Sequence, residues 1–577
     1  MRSTPALLTA VLSVAIPLTS SAIDDYKPGP DSLPQPEVPH GEVTIHTFNT
    51  SEIFPGTTRE YRVYVPKQYD AAKPAPVMIV QDGIRFNAIN VLDNLIARKE
   101  IPPMVGIFVA PGVVPSPDTN TALPRFNRSY EYDGMSDDYV RFLLEELLPH
   151  IIADQKLNLS TNANDRMIAG ESSGAIAAFT AAWLRPDAFR RVFSAIGTYV
   201  DLRGGNVYPA LIRQTEAKPI RVFLQDGAND HNKYGGNWFL ANQEMLAALQ
   251  FSGYDVTNAW GDGVHSGKHA TAIFPDAMRW LWRDYPAPIV ANGEHKTNQP
   301  ITTILLPDEP WQLVGEHFRG ADGLAANAQG EVFFSDHASN CIYKIALDGS
   351  LSVFKEHTDS GGLIFGPDGK LYACQGGRKR IVSYDQDGKE EVVAEDLQPN
   401  DIVAGQNGNL YVTDSPNKKV WLIQGREKRV VDEGIITFPN GVRFSPDQSL
   451  LYVADYRGQF VYAFDVLPDG SLANGQKFFH LHMKDGSTQT SADGLAVDSL
   501  GWLYVTTEMG IQVCDQPGRV NGVILKPQAK GPSSIAFGGR NFDVLFAACG
   551  DKVFKRKTQA RGVLSFQAPI KPPTPHL

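Results

Sequence analysis

The sequence predicts two domains: an α/β domain, with a mixed sheet covered by helices, followed by an all-β six-bladed propeller. Three observations carry this. The chain has 577 residues, more than one hydrophobic core organises. Up to about residue 286, apolar strand patterns alternate with amphipathic helix patterns. Beyond that point long helices stop, and a unit of two short strands around a Gly/Asp turn recurs six times.

The N-terminus reads as a signal peptide over residues 1–22. Arg2 supplies the positive start, Ala6 to Leu18 is mostly apolar, and Ser20-Ser21-Ala22 offers small residues for cleavage. The apolar stretch is short and broken by Ser and Pro, which favours export, to the periplasm or outside, over a membrane anchor. Residues 23–40, rich in Pro and acids, read as an extended leader. The α/β domain is expected over 41–286.

Within it, REYRVYVP (59–66) alternates like a half-buried strand. PVMIVQDG (76–83) and MVGIFVAPG (104–112) are continuous apolar runs that suit strands buried on both faces. Residues 136–155 form a helix pattern with Ser136 as N-cap and Val140, Leu143, Leu144, Leu147, Leu148 and Ile151 on one face. RVFSAIG (191–197) and IRVFLQDG (220–227) are further strands, and 242–253 and 274–285 are helical. Residues 287–305 read as a polar linker, 306–568 as the propeller and 569–577 as a tail.

Chemistry enters at Gly170-Glu171-Ser172-Ser173-Gly174, which fits G-x-S-x-G. It lies between a strand (MIA) and a small-residue helix (AIAAF), the context a nucleophile elbow needs. A serine nucleophile requires a base, and the base an orienting acid. In α/β-hydrolases these follow in the order Ser, acid, His. Downstream, Asp226 and Asp230 lie at the end of a strand, and His265 and His269 lie in a Gly-rich loop. The oxyanion hole is expected to use the backbone N–H of Ser173 and one from the loop after the 76–81 strand, near Gly83 and Ile84.

Residues 41–286 resemble the esterase family that holds feruloyl, acetylxylan and enterochelin esterases. That family places its acid in a G-x-x-D loop, matched by Gly227-Ala228-Asn229-Asp230. Its histidine precedes a Leu-Pro-x-Ala-type helix, matched by Phe274-Pro275-Asp276-Ala277-Met278-Arg279-Trp280-Leu281. The resemblance implies a triad of Ser172, Asp230 and His265, with no cofactor. The string from Arg125 to Tyr132 is similar to loops that border the site in the family, and a salt-bridged surface loop is its alternative. Gly197-Thr198-Tyr199, at the end of the next strand, is a second cleft candidate; His231 reads as loop surface.

The six repeats begin at Asp322, Gly361, Asn400, Asn440, Asp493 and Ser533, about 40 residues apart with one interval of 53. Equivalent positions of a propeller converge at one end of its axis. Two carboxylates and two amides there would suit a hard divalent cation such as Ca²⁺, although Asp and Asn also serve as plain turn residues. Residues 306–568 resemble the gluconolactonase/regucalcin family, with Pro-Asn-Asp (399–401), Pro-Asn-Gly-Val (439–442), Ser-Pro-Asp (445–447) and Phe-Gly-Gly (537–539) as shared strings. The resemblance implies a divalent metal at Asp322, Asn440 and Asp493, with Asn400 close by and Asp493 as a lactonase acid/base. Asp322 stands where the family carries Glu.

A formal net charge of −11 and the lack of a dense Lys/Arg run give no support to a nucleic-acid partner, and no segment suggests stable membrane insertion. The four cysteines, Cys341, Cys374, Cys514 and Cys549, have no metal-site spacing, and none lies in the first half. The leading expectation is an exported serine esterase acting on small-molecule or carbohydrate-linked esters of feruloyl or acetyl type. The alternatives are a bifunctional esterase/lactonase whose propeller hydrolyses sugar lactones, and a binding protein with an inactive hydrolase fold.

Overall fold

The computed structural model describes residues 24–118, 120–292 and 296–575, so the signal-peptide reading lies outside the described residues. The apolar runs of the first half form the centre of an eight-stranded sheet. Its strands are β1 (Glu42–Phe48), β2 (Arg59–Val65), β3 (Val77–Gln81), β4 (Val105–Val109), β5 (Arg166–Glu171), β6 (Arg191–Ala195), β7 (Arg221–Gly227) and β8 (Asp255–Gly261). They lie in the order β1-β2-β4-β3-β5-β6-β7-β8. β2 runs antiparallel to β1 and β4, and every pairing from β4 to β8 is parallel.

Residues in β3 alternate between two cores. Val77 and Ile79 pack with the helices on one face, and Met78 and Val80 with those on the other. Both faces are covered, so the strands need no polar alternation. The covering helices are α1 (Ala88–Ala97), α2 (Arg128–Tyr132), α3 (Ser173–Leu184), α4 (Tyr208–Gln214), α5 (Trp238–Phe251) and α6 (Lys268–Trp282), together with a run from 138 to 155. In that run the turn Phe142–Leu147 is π-helical, and the helix opens at Asp138. Ser136 bonds the Asp138 carboxylate at 2.9 Å and does not cap the backbone as expected. Helix α6 starts six residues before the expected position and runs through Pro275. Proline cannot donate to the carbonyl four residues back. The Ser32 hydroxyl lies 3.5 Å from that carbonyl, on Thr271.

The second half is a β-propeller, but the expected count of six blades is corrected: the described residues form five sheets there, one of six strands and four of four. All six repeats are present as strand pairs. Their inner strands are β9 (Gln312–Ala326), β10 (Leu363–Phe365), β11 (Ile402–Ala404), β12 (Pro439–Phe444), β13 (Leu495–Val497) and β14 (Ser534–Gly538), and the last strand among the described residues is β15 (Val544–Lys557). The sixth repeat does not stand alone because β15 pairs with the long β9, merging first and last repeats in one sheet. Each inner strand packs on the next, and β14 returns to β9. All four cysteines are free. Among the described residues no helix is long and apolar enough to cross a membrane.

The two halves are joined by more than the connecting segment. After α4, Thr215 pairs with Val523 at the edge of the fifth repeat. Glu216 then forms a two-pronged ion pair with Arg556, at 2.8 and 3.0 Å, and accepts from the Leu525 N–H. The Arg556 side chain is 8% exposed, so losing its carboxylate would leave a desolvated charge. Glu216→Ala is therefore expected to ease opening of this interface by about 2–3 kcal/mol. Limited proteolysis within 287–299 should accelerate by at least about tenfold, and an unchanged cleavage rate would show that the pair does not hold the halves together.

Candidate active site

Every triad candidate sits at the C-terminal end of a parallel strand, where an open α/β sheet presents its crevice. Ser172 follows β5 with φ 57° and ψ −123°, a strained conformation for a residue with a Cβ. Two glycines permit the turn. A Cβ on Gly170 would lie 2.2 Å from the Gly174 carbonyl oxygen, and one on Gly174 would lie 3.0 Å from the Gln81 Cβ. The Ser172 N–H is tied to the Ala195 carbonyl at 2.9 Å, which fixes the elbow to β6.

The Asp230 Oδ1 lies 2.6 Å from His265 Nδ1, and His265 Nε2 lies 2.9 Å from Ser172 Oγ. The three predicted residues thus meet in one continuous relay. The Asp230 carboxylate is fully buried, and the His265 ring is 16% exposed. The rejected alternatives have other partners. His269 lies in α6, bonded to Gln225 at 3.0 Å. Asp226 is buried, accepting from Asn242 Nδ2 and the Gly227 N–H.

Asp226 is not idle. Burial, then hydrogen bonding to Asp230, then repulsion by its charge hold the Asp226 carboxyl well above the ordinary carboxylate range. Burial also works against the Asp230 charge, but hydrogen bonds from His265 and Asp226 outweigh it and set Asp230 low. Asp226 is thus the neutral acid of the pair and Asp230 the anion, consistent with one proton shared between adjacent carboxyls. Among the described residues no hydrogen bond of ordinary geometry reaches the buried Asp230 Oδ2.

Thr198 is brought to the nucleophile, its Oγ1 3.3 Å from Ser172 Oγ and 3.2 Å from the Trp238 indole nitrogen. Tyr199 is buried, bonded to Ser194 at 2.8 Å, and faces no cleft. The Arg125–Tyr132 string is structural at its core: Glu131 pairs with Arg59, both side chains fully buried. Arg128 grips Asp82 with two bonds of 2.7 and 2.8 Å. His231, expected on the loop surface, stacks on His265 with ring centres 4.2 Å apart. Burial and then the neighbouring His265 and Lys233 charges lower its pKa. Nothing in the spacing marked His231, beyond its place directly after the acid.

For the oxyanion hole, Ser173 opens α3, so its N–H is one of the donors a helix start leaves free. Gly83 is corrected: its N–H donates to the Val109 carbonyl at 3.2 Å and is engaged by the sheet edge. Ile84 supplies the next N–H along that loop.

In the propeller, Asp322 and Asn400 line a cavity of about 380 Å³ together with His337, Lys530 and Ser533. Asp493 has its pKa pushed well above the ordinary range by burial and by the Asp322 and Asp401 charges. Burial raises Asp322 and Asp401 as well. Asn440 is 5% exposed. Asp401 was missed, although it stands where four other repeats carry Gly323, Gly362, Gly441 and Gly494. Those glycines are needed because neighbouring repeats touch: a Cβ on Gly441 would meet the Asp493 carbonyl oxygen at 2.0 Å. Among the described residues no three His, Cys, Asp or Glu side chains form a group that could hold a metal ion. The expected set has only two carboxylates and relies on amides. It fits a hard cation by the chemistry of its donors, all oxygen, and by the mutual repulsion of its carboxylates.

Two family models match this chain, one in each half. Residues 51–303 match "Putative esterase", and residues 321–549 match the SMP-30/Gluconolactonase/LRE-like region. A gluconolactonase of Zymomonas mobilis subsp. mobilis is 23% identical over 309 residues, covering 46% of this chain and 86% of that protein. A gluconolactonase from Xanthomonas campestris superposes with a TM-score of 0.41 at 24% identity, over 45% of this chain and 93% of that one. A ferulic acid esterase superposes with a TM-score of 0.33 at 19% identity, over 42% of this chain and 99% of that one. Both family matches support a hydrolase, acting on an ester or a lactone.

The acid pair yields a discriminating test. Asp226→Asn keeps a neutral donor beside Asp230 and should hold ester turnover within about threefold, whereas Asp230→Asn should lower kcat on the order of 10³–10⁴-fold by misorienting the imidazole. Comparable losses in both variants would mean that the pair shares the orienting role.

Proposed function

We propose that the N-terminal domain is a serine carboxyl-ester hydrolase with Ser172 as nucleophile, His265 as general base and acid, and Asp230 as the orienting acid. The observation that carries this is the continuous relay Asp230–His265–Ser172, at 2.6 and 2.9 Å. It also counts against an inactive binding fold, which has no need of a strained serine inside such a relay.

Ser172 Oγ attacks the ester carbonyl carbon while its proton passes to His265 Nε2. Asp230 holds the Nδ1–H and stabilises the imidazolium. The negative charge on the carbonyl oxygen falls to the backbone N–H groups of Ser173 and Ile84, each such donor contributing about 3 kcal/mol in the transition state. The C–O bond to the alcohol breaks, and the alcohol leaves with the proton from His265. Water then attacks the acyl-enzyme, its proton goes to His265, and the carboxylic acid departs as Ser172 regains its own. The substrate class we assign is a carbohydrate-linked or aromatic ester of feruloyl or acetyl type; the esterase-family match of residues 51–303 supports the ester bond, and the acyl type is our own assignment from the sequence resemblance.

A second reading concerns the propeller, favoured by the partly buried carboxylates Asp322, Asp401 and Asp493, the last of which is raised by the charges of the other two. Asp322, Asp493, Asn440 and Asn400 would hold a divalent cation such as Ca²⁺. A cation there would supply charge to polarise a lactone carbonyl. Burial and the Asp322 and Asp401 charges raise the Asp493 pKa, and Asp493 is the group we assign as the lactonase acid/base. This makes the chain an esterase and a lactonase in one.

Ser172→Ala should abolish hydrolysis of p-nitrophenyl acetate, by at least about 10³-fold, with EDTA without effect on the wild type. Activity that survives Ser172→Ala and dies with EDTA would move the chemistry to the propeller. Cation binding competes with protons on carboxylates whose pKa values are raised, so Ca²⁺ affinity measured by calorimetry should tighten as pH rises and be lost in Asp493→Asn. Affinity independent of pH and of Asp493 would place the ion elsewhere.

A further inference from the structure

We propose that the leader segment around Asp24 and Tyr26 is an intramolecular clasp that positions the His265 loop for catalysis; this rests on the esterase reading above.

The segment is firmly seated. Three asparagines at α1 hold its backbone. Asn87 and Asn90 donate to the Ser32 carbonyl at 3.3 and 3.2 Å, and Asn94 donates to the Asp31 and Leu33 carbonyls, both at 2.9 Å. The Asp31 carboxylate pairs with Arg98 at 2.8 Å and Arg279 at 2.5 Å. Further along, Asp93 accepts from the Gly41 N–H at 2.9 Å. Such anchoring removes the conformational freedom that a Pro-rich leader would otherwise keep.

From this anchor the chain reaches the loop that carries His265 and grips it on both sides of the histidine. On the C-terminal side, Ser266 Oγ donates to both Asp24 oxygens, at 3.0 and 2.7 Å, and the Lys268 ammonium lies 3.3 Å from Asp24. On the N-terminal side, the Tyr26 hydroxyl donates to Asp262 Oδ1 at 2.6 Å and accepts from the Asp262 N–H at 2.9 Å. The Tyr26 ring stacks on His269, centres 4.0 Å apart and planes 17° off parallel. The fit is close enough to demand glycine below it: a Cβ on Gly261 would sit 2.2 Å from the Tyr26 hydroxyl, and one on Gly263 would sit 3.0 Å from Asp24 Oδ1.

The opposite side of the loop is held by the segment bearing the acid. Ala228 and Asn229 donate their N–H groups to the Gly261 and Gly263 carbonyls at 2.8 and 3.1 Å, and the Asn229 amide donates to the Asp262 carbonyl at 2.7 Å. The His265 loop is therefore pinned between the acid loop and the leader. Without the leader one wall is missing, and a shift of about 1 Å at His265 would break the 2.9 Å contact with Ser172.

Asp24 and Tyr26 are positioning residues in this reading, since neither touches the reacting atoms. The test is the full-length double variant Asp24→Asn/Tyr26→Phe. It should lower kcat on p-nitrophenyl acetate by about 10- to 100-fold, with KM within about twofold. Backbone amides of residues 262–267 should exchange hydrogen faster. The conservative variant Asp24→Glu should recover most of the rate. Wild-type kcat in the double variant, or a lower kcat with unchanged exchange at 262–267, overturns the clasp. If wild-type protein shows no Ser172-dependent hydrolysis, the esterase reading fails separately, and the exchange measurement alone decides whether the leader holds the loop.

Discussion

The backbone of Ser172, at φ 57° and ψ −123°, is the constraint around which the first domain is arranged. Such a conformation persists only when its surroundings over-determine it. Here they do so from three sides. Gly170 and Gly174 leave room for the turn, the Ala195 carbonyl holds the Ser172 N–H, and α3 begins at the next residue. The parallel sheet then does the rest. Because β5, β6, β7 and β8 are adjacent and point the same way, the residues just past their ends, Ser172, Thr198, Asp230 and His265, converge without any of them being close in sequence.

Electrostatics sharpen that geometry. Two adjacent buried carboxyls, one at the end of β7 and one just beyond it, cannot both ionise cheaply, and the environment decides which does. Asp230 has the imidazole and takes the charge; Asp226, desolvated and facing its neighbour's charge, keeps the proton despite the hydrogen bonds it accepts from Gly227 and Asn242. The same logic operates in the propeller without a histidine to absorb it. The Asp322 charge raises Asp401, and the Asp322 and Asp401 charges together raise Asp493, where the inner strands of the repeats pack on one another.

The two domains share the habit of using glycine where chains approach. Gly227 is under the Gly263 carbonyl in the hydrolase, as Gly441 is under that of Asp493 in the propeller. In both, a backbone contact between neighbouring segments sets the spacing of the candidate site side chains. The interface at Thr215–Val523 and Glu216–Arg556 adds a third such contact, tying α4 to the fifth repeat.

By itself the sequence determined the strand and helix alternation, the six repeats and the elbow at Ser172, because these depend on local periodicity and short-range spacing; the likeness of each half to a known family came as a resemblance carried by short strings such as Gly227-Ala228-Asn229-Asp230 and Pro439-Asn440-Gly441-Val442. Residues 41–286 also named Asp230 and His265, but only through a resemblance; the choice against Asp226 and His269 was made by where β7 and α6 turn those side chains. Tertiary structure alone decided that the sixth repeat merges with the first through β9 and β15, that the Gly83 N–H is consumed by Val109, that His231 stacks on His265, and that the Pro-rich leader is a docked element. Each of these is a contact between residues far apart in the chain or a hydrogen bond already claimed by a neighbour. Neither leaves a periodic trace, since the partner of a given N–H or ring is fixed by how strands stack in space rather than by what precedes it in sequence.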